Sequence, residues 1–118
     1  MKRIVLLLFL VLFLANCKST KETTTTPVVS APAEAQVTLA LNRWPGTTLT
    51  ELQEGHKIYT GQCTNCHTNF PVEKFSEKKW LHEIDDMSPK AKLSADQKLR
   101  LTKYLLSMRD SKVKQVAN

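Results

Sequence analysis

Apolar positions along the chain fall into one dense block and three spaced stripes. The block, Ile4 to Leu14 (IVLLLFLVLFL), contains no charge. Each stripe has helical spacing and follows a helix-start signal. The first covers about Leu49 to Gly61, where Thr48 and Glu51 make a capping box after the Trp44-Pro45-Gly46 turn signal, and Leu52, Gly55, His56 and Tyr59 share a face. The second runs from Ser76, an N-cap after Phe70-Pro71 and Phe75, to about Asp86; Trp80 and Ile84 share its apolar face and Pro89 stops it. The third opens at Ser94 with Gln97 completing a second capping box, and carries Leu101, Tyr104, Leu105 and Met108 at i, i+3, i+4 and i+7. No stretch alternates as a strand would, so the expected fold is all-α, a small domain of three helices.

The dense block reads as an export signal. Lys2 and Arg3 form a positive start, Ile4 to Leu14 the apolar centre, and small Ala15 precedes Cys17. As a helix the block would cover roughly 16 Å of a hydrocarbon core about 30 Å thick, too little to span it. Leu14-Ala15-Asn16-Cys17 resembles the bacterial lipobox, with Asn16 departing from the usual small residue. That resemblance implies removal of residues 1–16, lipid on Cys17, and a membrane contact made by acyl chains, of which two or more hold a protein durably.

From Lys18 to Gln36 the chain turns to Thr, Pro, Ala, Ser and charge (KSTKETTTTPVVSAPAEAQ), a composition that cannot bury enough surface to offset its ordering entropy. Residues 17–41 are therefore expected to be a flexible tether. Its reach toward Trp44 as a coil is on the order of 25 to 30 Å. Residues 42–110 form the expected domain and 111–118 a basic tail.

Length and charge narrow the function. The 118 residues allow at most one small core, which excludes a large enzyme. Lys and Arg number 17 against 11 Asp and Glu, a formal charge of +6, but an exported protein is not expected to meet nucleic acid. A core of roughly 70 residues is usually marginal unless something staples it.

The staple is suggested by cysteine arithmetic. With Cys17 assigned to lipid, only Cys63 and Cys66 remain, in Cys63-Thr64-Asn65-Cys66-His67, a C-x-x-C-H motif. Two thiols at this spacing can each add to one vinyl group of a haem, and the adjacent His67 can ligate the iron. A thioredoxin-like redox pair needs a βαβ setting that the pattern lacks. Zinc needs four ligands, and His56 and His82 are the only other candidates. A plain disulfide leaves His67 unexplained.

The run Gly55-x-x-x-Tyr59-x-x-x-Cys63-x-x-Cys66-His67, with Met87 and Pro89 and then Leu101-x-x-Tyr104-Leu105, resembles a small class I c-type cytochrome over about Leu49 to Met108. The resemblance implies a domain wrapped around one covalent haem c, with Gly55 and Tyr59 of the first helix crossing Leu101, Tyr104 and Leu105 of the last. It also implies Met87, in a loop before the last helix, as the second axial iron ligand beside His67, and Ser88 between Met87 and Pro89 departs slightly from the usual pattern. At about 100° per residue Met87 lies near −20° and Ile84 near 40° from Trp80, whereas His82 lies near 200° and points away. His56 is expected at a helix interface.

The implied function is single-electron transfer without catalysis, because both axial positions of the iron are filled. A haem-based ligand or redox sensor, a small peroxidase, or a fixed subunit of a larger oxidoreductase complex are the alternatives. Lys74, Lys78, Lys79, Lys90 and Lys92 would ring the haem edge and meet redox partners with acidic faces. The implied location is the periplasmic side of a bacterial envelope with two membranes. Lys18, where some lipoproteins carry an inner-membrane retention Asp, favours the outer membrane.

Overall fold

The computed structural model describes residues 29–117. The export signal, Cys17 and most of the tether lie outside them. Four α-helices follow in order: α1 Glu34–Leu41, α2 Leu49–Thr60, α3 Glu77–Lys90 and α4 Ala95–Val116, with a single 3₁₀ turn, Gln62–Asn65, between α2 and α3. No strand occurs among the described residues.

The start signals form as the sequence implies. Thr48 Oγ1 accepts from the Glu51 amide at 3.3 Å while the Glu51 carboxylate accepts from the Thr48 amide at 3.0 Å. Ser94 and Gln97 repeat the arrangement at 3.2 and 2.9 Å, and Ser76 Oγ accepts from the Lys79 amide. Each box satisfies two amides that the helix itself leaves unpaired.

α2 and α4 cross at Gly55. A Cβ there would lie 2.6 Å from Tyr104 Cβ and closer still to the Arg100 carbonyl oxygen, so the two backbones touch and only Gly fits. Around this crossing Tyr59, Trp80, Ile84, Leu101, Tyr104, Leu105 and Met108 form the main core. Flanking ion pairs join Lys103 to Glu51 and Arg100 to Glu54.

Three expectations are corrected. The segment 17–41 is not tether throughout: α1 lies in it, and Val37 and Ala40, three residues apart, are buried against Leu52. The strap is held at further points, since Tyr104 OH donates to the Ser30 carbonyl at 3.0 Å and Gln36 Nε2 to Ser111 Oγ at 2.9 Å. Among the described residues there are thus four helices, not three. The third correction concerns helix ends. α4 continues through residues 111–116, expected as tail, because neither Gly nor Pro interrupts it.

α3 likewise passes Asp86 and Pro89. In the last turn Pro89 forfeits only one backbone bond, and a Schellman motif completes the end: Lys92 N–H donates to the Pro89 carbonyl and Leu93 N–H to that of Ser88. Met87 therefore sits on the helix and not in a loop.

Candidate functional site

Gly61 ends α2, donating its amide to the Lys57 carbonyl at 2.9 Å, and Thr64 locks the following 3₁₀ turn by donating its amide and hydroxyl to the Gly61 carbonyl at 3.0 and 2.7 Å. This turn presents the cysteines. Cys63 is half-buried against the main core and Cys66 is exposed; both are free thiols. Burial pushes the Cys63 thiol above its ordinary pKa.

His67 Nδ1 lies 2.8 Å from the Thr68 carbonyl oxygen. A carbonyl only accepts, so Nδ1 carries the hydrogen, which in the neutral imidazole leaves the lone pair on Nε2. The imidazole also packs tilted against Phe70, with ring centroids 5.4 Å apart and planes 33° from parallel.

The loop from Thr68 to Phe75 is clamped by side chains of three helices. Tyr59 OH donates to the Phe70 carbonyl at 2.6 Å, Trp80 Nε1 to that of Val72 at 2.7 Å, and Arg109 Nε to that of Phe75 at 3.0 Å. Burial raises the Tyr59 phenol pKa to about 12, so it remains a donor at all ordinary pH. Lys74 Nζ stands 3.6 Å over the Phe70 ring centroid, a cation–π contact on the same loop. None of these clamps could be anticipated from the sequence pattern, since a carbonyl partner has no sequence signature.

Turn, loop, α3 and α4 enclose a cleft of about 320 Å³. Cys63, Cys66, His67 and Met87 all line it. Its apolar wall comes from Phe70, Phe75, Trp80, Ile84, Leu101 and Leu105; Phe70, Phe75 and Leu93 are lining residues that the helical stripes do not reveal. Met87 is 37% exposed and faces this space from the last turns of α3, whereas Met108 is 3% exposed in the core and takes no part. His82 is exposed and does not line the cleft. His56 is half-buried elsewhere, donating from Nε2 to the Val29 carbonyl at 3.2 Å with its ring edge-on to Tyr104.

Of the lysines expected around the site, Lys90 and Lys92 line the cleft and Lys74 caps Phe70; Lys78 and Lys79 do not line it. Among the described residues no three His, Cys, Asp or Glu side chains are gathered closely enough to hold a metal ion by themselves. No helix among them is long and apolar enough to cross a membrane. No protein-family model, curated protein or solved structure matches the chain.

Proposed function

We propose that the chain is a membrane-tethered single-electron carrier holding one covalent c-type haem in this cleft, through thioethers from Cys63 and Cys66 and with His67 and Met87 as the axial iron ligands. The observation that carries the reading is that these four side chains, from two separate elements, line one apolar cleft whose volume lies within the usual range of small-molecule sites, about 300 to 1,000 Å³. The donor set suits the group. Each free thiol can add across a vinyl group, sulfur to one carbon and hydrogen to its neighbour, which consumes no oxidant. The His67 Nε2 lone pair and the neutral Met87 thioether are the nitrogen and soft sulfur ligands that iron accepts in such proteins.

When bound, the haem supplies a reversible one-electron change at its iron. The chain orients and shields it. The Thr68 carbonyl fixes the His67 tautomer, the Tyr59, Trp80 and Arg109 clamps hold the loop that bears Phe70 and Phe75, and the apolar wall excludes water. His67 and Met87 would together hold the iron, which would suit it to electron transfer and not to binding a substrate. Lipid on Cys17 would tie the domain to the periplasmic face of a membrane, and Lys74 and Lys90 would meet an acidic redox partner.

Optical spectra of the purified holoprotein test the reading. The wild type is expected to be low-spin in both oxidation states, to show the weak far-red sulfur-to-iron band when oxidised, and to bind carbon monoxide poorly. Met87→Ala should abolish that band, admit carbon monoxide and lower the potential, while Met108→Leu should change none of these, costing under about 1.5 kcal/mol. A wild type that binds carbon monoxide readily, with Met87→Ala silent, would replace the carrier by a sensor or peroxidase. Loss of the low-spin signal in His82→Ala alone would mean two histidine ligands.

A further inference from the structure

Lys92 is the only non-glycine residue with positive φ among those described, at 55°. It occupies the position after the α3 C-cap, where glycine adopts the left-handed conformation freely and an L-residue does so only at a steric cost. Its N–H donates to the Pro89 carbonyl at 3.1 Å, so the conformation belongs to the helix end that carries Met87. Lys92 is among the residues that line the cleft.

Neighbouring ammonium groups are engaged. Lys90 meets Asp86 at 2.7 Å, Lys79 meets Glu83 at 2.5 Å and Lys98 meets Asp85 at 2.6 Å. Among the described residues the Lys92 ammonium has no acidic partner, and Glu83, the one acid of the cleft wall, is held by Lys79. A carboxylate brought against apolar walls is costly unless a cation or donor compensates it.

We propose that Lys92 is the counter-ion for a carboxylate of the prosthetic group in this cleft, which for haem is a propionate. This rests on the haem reading above. A cation at that place favours the reduced form, whose iron carries one positive charge less.

The test measures the midpoint potential and the propionate band in resonance Raman spectra of holoprotein variants. Lys92→Gln and Lys92→Gly should shift the band and move the one-electron equilibrium threefold to tenfold toward the oxidised form, about 30 to 59 mV. Lys92→Arg should retain both signals, and Lys98→Gln, outside the cleft, should leave both unchanged. Lys92→Gly guards against a folding artefact, since glycine relieves the left-handed backbone and should not lower the thermal midpoint. A Lys92→Gln protein with wild-type potential and band overturns the inference alone. So does a Lys98→Gln protein whose potential falls as far, because net charge would then suffice. A wild type without covalent haem overturns the haem reading and this assignment together.

Discussion

Gly55 and His67 illustrate how single residues set this architecture. At Gly55 two effects of a methyl group oppose each other. Alanine is favoured over glycine in a helix interior by about 1 kcal/mol, whereas overpacking a tight interface costs about 1 to 3 kcal/mol. The second should win, because the obstruction includes the Arg100 backbone, which cannot swing aside as a flexible side chain would. Gly55→Ala is accordingly expected to lower stability by up to about 2 kcal/mol in urea unfolding; a midpoint at or above wild type would mean that the helices are free to separate. The close crossing at Gly55 and the gathering of Cys63, Cys66 and His67 on one stretch of the cleft wall were legible in the sequence, because small size and C-x-x-C-H spacing are written in residue identity. The tautomer of His67 was not, because it depends on the Thr68 carbonyl, and every residue has one.

Among the elements, α2, α3 and α4 were legible from caps and stripes, which act within a few residues of the chain. α1 was not. Its eight residues carry only Val37 and Ala40 into the core, too short a stripe to stand out from the Ala- and Thr-rich chain around it, and its stability comes from partners far along the sequence. A chain starting at Asn42 should therefore be less stable than one starting at Val29 by on the order of 3 to 5 kcal/mol, the burial of two apolar side chains plus the hydrogen bonds to Tyr104 and Ser111. Equal urea midpoints would show that the strap merely rests on the domain.

Acid should loosen the helix junctions. The Thr48 amide holds the Glu51 carboxyl below its ordinary pKa of 4.5, aided by Lys103, and the Arg43 guanidinium does the same to Glu77 at the start of α3. Carboxyls lowered in the folded state contribute stability that is fully present above about pH 4.5 and is lost as pH falls through their lowered values. Glu51→Gln keeps a capping-box acceptor but leaves the buried Lys103 ammonium unpaired, so it should cost about 1 to 3 kcal/mol near neutrality. It should also flatten the fall in stability below pH 4.5. A variant whose stability falls with acid as steeply as wild type would assign the acid sensitivity elsewhere.

At the scale of the whole molecule, the strap would set how the domain hangs from a lipid anchor on Cys17. The described chain is fastened from Val29 and Ser30 onward, so a lipid on Cys17 would be joined to the domain by at most about 43 Å of backbone. Fully extended, the chain from Cys17 to Trp44 would reach about 97 Å, so fastening at Val29 more than halves the leash. The cleft lies among the same helices that make the main core: Tyr59, Trp80, Ile84, Leu101 and Leu105 serve both. A group bound there completes the core of a domain small enough to need a staple, so cofactor and fold are expected to be coupled. The most direct measurement of the central claim, that one haem is held covalently through Cys63 and Cys66, is the intact mass of protein matured in a host that attaches c-type haem, after denaturation and acid extraction. One haem per chain should remain with the polypeptide, and Cys63→Ala or Cys66→Ala should sharply reduce the matured fraction. Haem recovered entirely in the organic phase, or a matured chain with no added mass for haem, would contradict it.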